Sequence, residues 1–141
     1  MKQVVCVGNA VLDHIFQLQT IPKLPVKCFA SNYTQAGGGN AATAAVAINR
    51  AGGQAVFWGR VGDDNNADLI LNELEEFGVD VKDVLRQKGV KSGVSSVMVD
   101  KVGERLITNY CDSKLSSDPN WLPLERLNDS KAVLVDFRWH E

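Results

Sequence analysis

Three consecutive glycines, Gly37, Gly38 and Gly39, stand directly before NAATAAVAIN at 40–49. Glycine in series costs backbone entropy, so the chain there needs either positive φ or a backbone bare of side chains. Residues 41–50 are nearly all small or aliphatic and end in Arg50 and the stop Gly52–Gly53, a composition that lets a helix pack closely on a sheet. The pair therefore reads as a glycine-rich turn opening a helix. Unpaired N–H groups at such a turn can bond ligand hydroxyls or an anion. Taken alone, the turn is explained as well by tight helix–sheet packing. It is neither G-x-x-x-x-G-K-[ST] nor G-x-G-x-x-G, so neither phosphate-binding fingerprint applies.

The flanking segments set the class. VVCVG at 4–8 is a continuous apolar run closed by glycine, as in a strand buried on both faces of a parallel sheet. HIFQLQ at 14–19 and CFASNYTQ at 28–35 alternate instead and are expected as half-exposed strands of a separate small sheet. AVFWGRVG at 55–62 reads as one further buried strand, and NADLILNELEEFG at 66–78 as an amphipathic helix with Leu69, Leu71, Leu74 and Phe77 near helical spacing. SGVSSVMVD and ERLITNY read as a hairpin around 101–103, residues 112–123 as a polar linker, and KAVLVDFRWH at 131–140 as a last buried strand. That strand ends in the polar residues Asp136, Arg138 and His140, with nothing after them to form the other wall of a crevice. The expectation is the front part of a larger α/β fold.

Composition narrows the function classes. The 141 residues are 45% hydrophobic and 23% charged, with net charge −2 and pI near 5.7. There is no basic surplus for nucleic acid or anionic lipid, and no apolar run of membrane-spanning length. The N-terminus lacks a signal-peptide pattern, so a cytoplasmic protein is expected. Cys6, Cys28 and Cys111 are odd in number and unpaired by motif, and are expected as reduced thiols. His14 and the His140–Glu141 pair have no metal-ligand spacing, and Trp58, Trp121 and Trp139 are too dispersed for an aromatic cage.

Gly8 to Asp13 places a carboxylate just beyond the first strand, facing the same crevice as the glycine turn. Together with the GG-rich loop, its alanine-rich helix and GRVGDD at 59–64, this set resembles the ribokinase-like (PfkB) carbohydrate kinases. The resemblance runs through the whole chain. It implies a doubly wound, mostly parallel α/β sheet with a small β-sheet lid, incomplete in this chain: residues 1–141 as the N-terminal half, with lid strands at about 12–36 and 92–111. It further implies ATP-dependent transfer of a γ-phosphoryl group to a sugar hydroxyl, Mg2+, and a homodimer paired through the lid. The G-A-G-D motif whose aspartate is the family's base is absent, so the resemblance implies a sugar-binding half, inactive by itself, with the ATP and metal sites outside it.

Within that family the stretches NYTQAGGGNAATAAVA, MVDKVGER, NY at 109–110 and DFRWH are most similar to the sulfofructose kinases. This implies phosphorylation of 6-deoxy-6-sulfofructose to its 1-phosphate, with Lys27, Asn109 and Arg138 at the sulfonate. Asp13, Gly37, Gly38, Gly39 and Thr43 are the expected contacts to the sugar, Thr43 standing where many members carry asparagine. An ionised aspartate accepts from two vicinal hydroxyls at once, and bare backbone amides can reach a ring edge. Arg138 is expected at a buried strand end needing an anionic partner, and Asn109 where its amide can donate. Other kinases of the superfamily, acting on ribose, fructose, a fructose or tagatose phosphate, or a nucleoside, remain open, as does a sugar-binding module without catalysis. For a nucleoside, Phe16, Phe29 and Tyr33 are the candidate aromatic surface.

Overall fold

The computed structural model describes residues 3–138; Trp139, His140 and Glu141 lie outside the described residues. The apolar runs build a three-stranded parallel sheet in the order β4-β1-β9, with β1 at Gln3–Val7, β4 at Ala55–Trp58 and β9 at Ser130–Val135. Alternation along β1 and β4 feeds two cores, because successive side chains leave opposite faces of a sheet. On one face Cys6, Ala55 and Phe57 pack with Ala41, Ala42 and Ala45 of α1 (Asn40–Arg50). Side chains no larger than a methyl group let that helix lie close. Burial pushes the Cys6 thiol up to about 11, so it stays an inert core thiol. On the other face Val5, Val56 and Trp58 are covered by Trp121, Leu122 and Leu127.

A second, four-stranded sheet stands beside this body in the order β3-β2-β7-β8: β2 at Val11–Leu18, β3 at Asn32–Gly38, β7 at Gly93–Asp100 and β8 at Arg105–Tyr110. β2 pairs antiparallel with β3 and parallel with β7, and β7 antiparallel with β8. Its base is seated on the body through Leu12, 2% exposed and part of the α1-side core. Residues 28–31 lie outside its strands.

Three local expectations are corrected. The run 55–62 is not one strand: the chain leaves the main sheet at Gly59, and β5 (Arg60–Gly62) pairs instead with β6 (Leu85–Gln87). Burial on both faces marks a strand without saying which sheet it joins. In α2 (Asn65–Glu76) the buried stripe is Ala67, Ile70 and Leu74, while Leu69 and Phe77 are exposed. The segment 112–123 is not a free linker, since Ser116 is held by Gln87 and by Arg60, whose buried guanidinium donates to the Ser116 carbonyl.

GRVGDD has a structural task. Asp64 caps α2 by accepting from Ala67 N–H at 2.9 Å, and it also accepts from the Ser92 hydroxyl at 2.7 Å and the Ser92 N–H at 2.9 Å. Ser92, itself 1% exposed, accepts from Gly62 N–H and so ties this corner to the start of β7. Burial alone would raise the Asp64 carboxyl, but the Ser92 and Ala67 hydrogen bonds and Arg86 hold it below its ordinary value.

Asp64→Ala should lower stability by about 2–4 kcal/mol, the sum of a lost cap and an unpaired Ser92 N–H, as measured by urea denaturation. Because the folded carboxyl is depressed, its contribution is present above the unfolded pKa of about 4 and is lost as pH falls through the lower folded value. The substitution should therefore flatten the acid limb of stability against pH while leaving the neutral plateau level but lower.

Gly39 precedes α1 with φ at 97°, and a Cβ built there would stand 2.3 Å from the Asn9 carbonyl oxygen and 2.9 Å from Ala10 Cα. Neither obstacle is a movable side chain. Gly39→Ala should cost at least about 3 kcal/mol, from strain at positive φ and the backbone clash together, read as a loss of soluble folded protein or a lower urea midpoint.

Candidate functional site: the crevice between lid and body

Register turns separate strands into one wall. Asp13 of β2 is paired with Ser95 of β7, and Ser95 with Asn109 of β8, so the three form a polar row across the lid sheet. The next row on the same face is Ile15, Val97 and Ile107. Facing them from the body are Asn9, Gly39 and Asn40 at the start of α1, with Asp136 and Arg138 just after β9. All of these but Ile15, together with Val11 and Cys111, line a cavity of about 710 Å³, within the size range of small-molecule sites.

The body side is braced by backbone hydrogen bonds. Asn9 Nδ2 donates to the Arg138 carbonyl at 2.6 Å, and Arg138 N–H donates to Asp136 Oδ1 at 3.1 Å. Asp136 is 7% exposed, and its Oδ2 accepts from no partner among the described residues. A buried carboxylate oxygen without a donor is costly. Gly39 gives α1 no side-chain cap, which leaves first-turn N–H groups without a side-chain acceptor; of that turn Gly39 and Asn40 line the cavity, while Ala41 and Ala42 are buried in the core.

The expected site residues separate into two places. Asp13, Gly39, Asn109 and Arg138 line the cavity. Gly38 is buried against it from behind: a Cβ there would stand 2.4 Å from Asp13 Oδ2. Gly37, Gly38 and Thr43 line a different cavity of about 200 Å³ between α1 and α2, together with Arg50, Glu73 and Phe77. Lys27 lines neither; its ammonium stands over the Phe29 ring at 5.2 Å, in an exposed loop. Arg138 is exposed rather than buried, so its guanidinium faces solvent at the cavity mouth. Phe16, Phe29 and Tyr33 are not among the lining residues: the Phe16 and Tyr33 rings meet at a tilt, 5.1 Å between centroids, on the lid face opposite Asp13.

Sequence reading missed Asn9, Ser95 and Asp136 as parts of one site. For Ser95 the usable signal was its place in an alternating strand, but a partner row is visible only once three strands are in register. Asp136 was noted as a polar strand end, a position that ordinarily faces a ligand crevice.

Residues 1–136 match the profile of the pfkB family carbohydrate kinases. The ketohexokinase of Mus musculus is 27% identical over 141 residues, which cover 98% of this chain and 44% of that protein. Among solved structures, an Agrobacterium tumefaciens protein provisionally designated a ribokinase superposes with a TM-score of 0.92 at 39% identity, over 98% of this chain and 45% of its own. The fructokinase of Xylella fastidiosa with bound ATP gives 0.74 at 25%, over 95% and 41%. This chain thus spans less than half the length of each of these relatives. The three-stranded parallel core, its four-stranded partner sheet and the match over residues 1–136 place the chain in the PfkB family of carbohydrate kinases.

Proposed function

We propose that the protein bearing this chain is an ATP-dependent ketose kinase, that the crevice between lid and body holds the sugar, and that the preferred sugar is 6-deoxy-6-sulfofructose. The observation that carries the reading is the polar row Asp13–Ser95–Asn109 set across one cavity from Asp136 and Arg138. Carboxylates at both walls suit a ligand rich in hydroxyl donors, since each ionised oxygen accepts from more than one. A single guanidinium at the mouth suits a ligand with one anionic end. A ketose bearing a terminal sulfonate has both features.

Residue roles follow from these positions. Asp13 holds vicinal hydroxyls, with Gly38 keeping the space behind its carboxylate clear. Gly39 and Asn40 offer backbone N–H groups to the ring edge, and Asp136 lies beside them in the lining. Asn109 and Arg138 receive the sulfonate, Lys27 being too remote from the lining in this arrangement. The lid sheet excludes water that would compete with the sugar for the phosphoryl group. ATP supplies that group, in line with the nucleotide held by the Xylella fastidiosa fructokinase structure. No group of three or more His, Cys, Asp or Glu among the described residues could hold a metal ion, so Mg2+ is assigned no residue here. The lid also offers a surface for a second copy: Tyr33, Leu106 and Tyr110, on the face away from the cavity, are each about half exposed, which supports pairing of two lids in a homodimer.

Steady-state kinetics of the complete protein decide the substrate. With ATP, kcat/KM should be highest for sulfofructose, lower for fructose 6-phosphate and far lower for fructose, with ribose and adenosine as further arms. Arg138→Lys should lower the sulfofructose value selectively, because a point charge does not reproduce the guanidinium fork. Wild type that uses fructose as well as sulfofructose would sink the sulfonate reading and leave a general ketose kinase.

Asp13→Ala should reduce kcat/KM by about 10²–10⁴-fold for every sugar, the loss of two charge-assisted hydrogen bonds at about 1.5–3 kcal/mol each, while the melting temperature stays within a few degrees. Unchanged kinetics with a large fall in melting temperature would make Asp13 a structural residue.

A further inference from the structure

Behind the glycine turn, on the side away from the cavity, lies an interaction that neither the sugar nor the core explains. Glu73 projects from α2 and its Oε2 accepts from the Gly37 N–H at 2.6 Å, across 36 positions of sequence. Gly37 sits on β3, the outer strand of the lid sheet, opposite Leu12. An edge strand leaves a row of N–H groups without ladder partners; at this position a carboxylate takes the place of the missing strand. A charge-assisted bond of that length is among the stronger kinds.

Gly37 is the residue that lets Glu73 come so close. A Cβ there would stand 3.1 Å from Oε2 and 3.2 Å from Cδ, tighter than side chains normally pack. The same small cavity contains Arg50, but that guanidinium lies over the Phe77 ring at 5.7 Å, and among the described residues Glu73 takes part in no ion pair. Its carboxylate is directed at the backbone. The next two residues are Gly38, against Asp13, and Gly39, at the cavity wall. Whatever fixes residue 37 therefore fixes the spacing between the α1 N-terminus and Asp13.

We propose that Glu73 is a positioning residue for the sugar site: by holding the Gly37 N–H it anchors the lid base to α2 and sets the glycine strand against Asp13, without touching the sugar. This rests on the sugar-kinase reading above. In the complete protein, Glu73→Ala should raise KM for the sugar about tenfold, the loss of one charge-assisted hydrogen bond, with KM for ATP and the melting temperature little changed. Glu73→Gln keeps a carbonyl acceptor and should recover most of that loss. Amide hydrogen exchange reads the latch without activity: exchange at Gly37 should quicken in Glu73→Ala and stay near wild type in Glu73→Gln.

An unaltered sugar KM, or equal losses for sugar and ATP accompanied by a large drop in melting temperature in both variants, overturns the proposal. If wild type turns over no sugar, the sugar-kinase reading fails separately. The latch is then judged on exchange alone: quickening at Gly37 in the alanine variant but not the glutamine variant upholds it, and identical exchange in all three proteins overturns it.

Discussion

At one point the backbone of Gly39 passes the Asn9 carbonyl so closely that no side chain fits between them. That crossing joins the turn after β1 to the start of α1, and the rest of the arrangement depends on it. It lets the alanine face of α1 settle on Cys6, Ala55 and Phe57, and it sets Asn9, Gly39 and Asn40 on one side of the cavity. The three glycines meet three different neighbours: a carboxylate from α2, a carboxylate from β2, and a stretch of main chain. A single run of one residue type thus makes room for a contact to α2, a cavity-lining aspartate and a helix–strand crossing at successive positions.

Electrostatics are distributed to match. Asp64, half-buried at a corner of the body, is engaged by Ser92 and Ala67 and ties α2 to the start of β7. Asp136, the more deeply buried of the two, lines the cavity and keeps one oxygen without a donor among the described residues. The contrast separates a carboxylate that holds the fold from one available to a ligand, although both follow a strand end in the sequence.

Much of the body was legible in the chain because its signals are local. Continuous apolar runs marked β1, β4 and β9, and the GG-plus-alanine pattern marked α1. What the sequence could not convey lay in pairings between distant segments. Strand 60–62 looked like a continuation of 55–58, yet its partner, 85–87, has too few residues and too mixed a character to announce itself. Residues 112–123 read as linker by polarity, while their anchoring comes from Gln87 and Arg60, far off in sequence. Asp13, Asn109 and Arg138 could each be picked out singly. That Ser95 stands between the first two required register, and that Thr43 turns toward α2 required knowing how far α1 rotates about its axis.

β8 is exposed along its whole length, yet it contributes Ile107 and Asn109 to the cavity wall. Side chains there meet the ligand crevice without supporting either hydrophobic core. β2 and β7, by contrast, give Leu12 and Val94 to the core as well as Asp13 and Ser95 to the cavity. Substitutions along this one edge would alter the shape and polarity of the cavity while leaving both hydrophobic cores beneath it untouched.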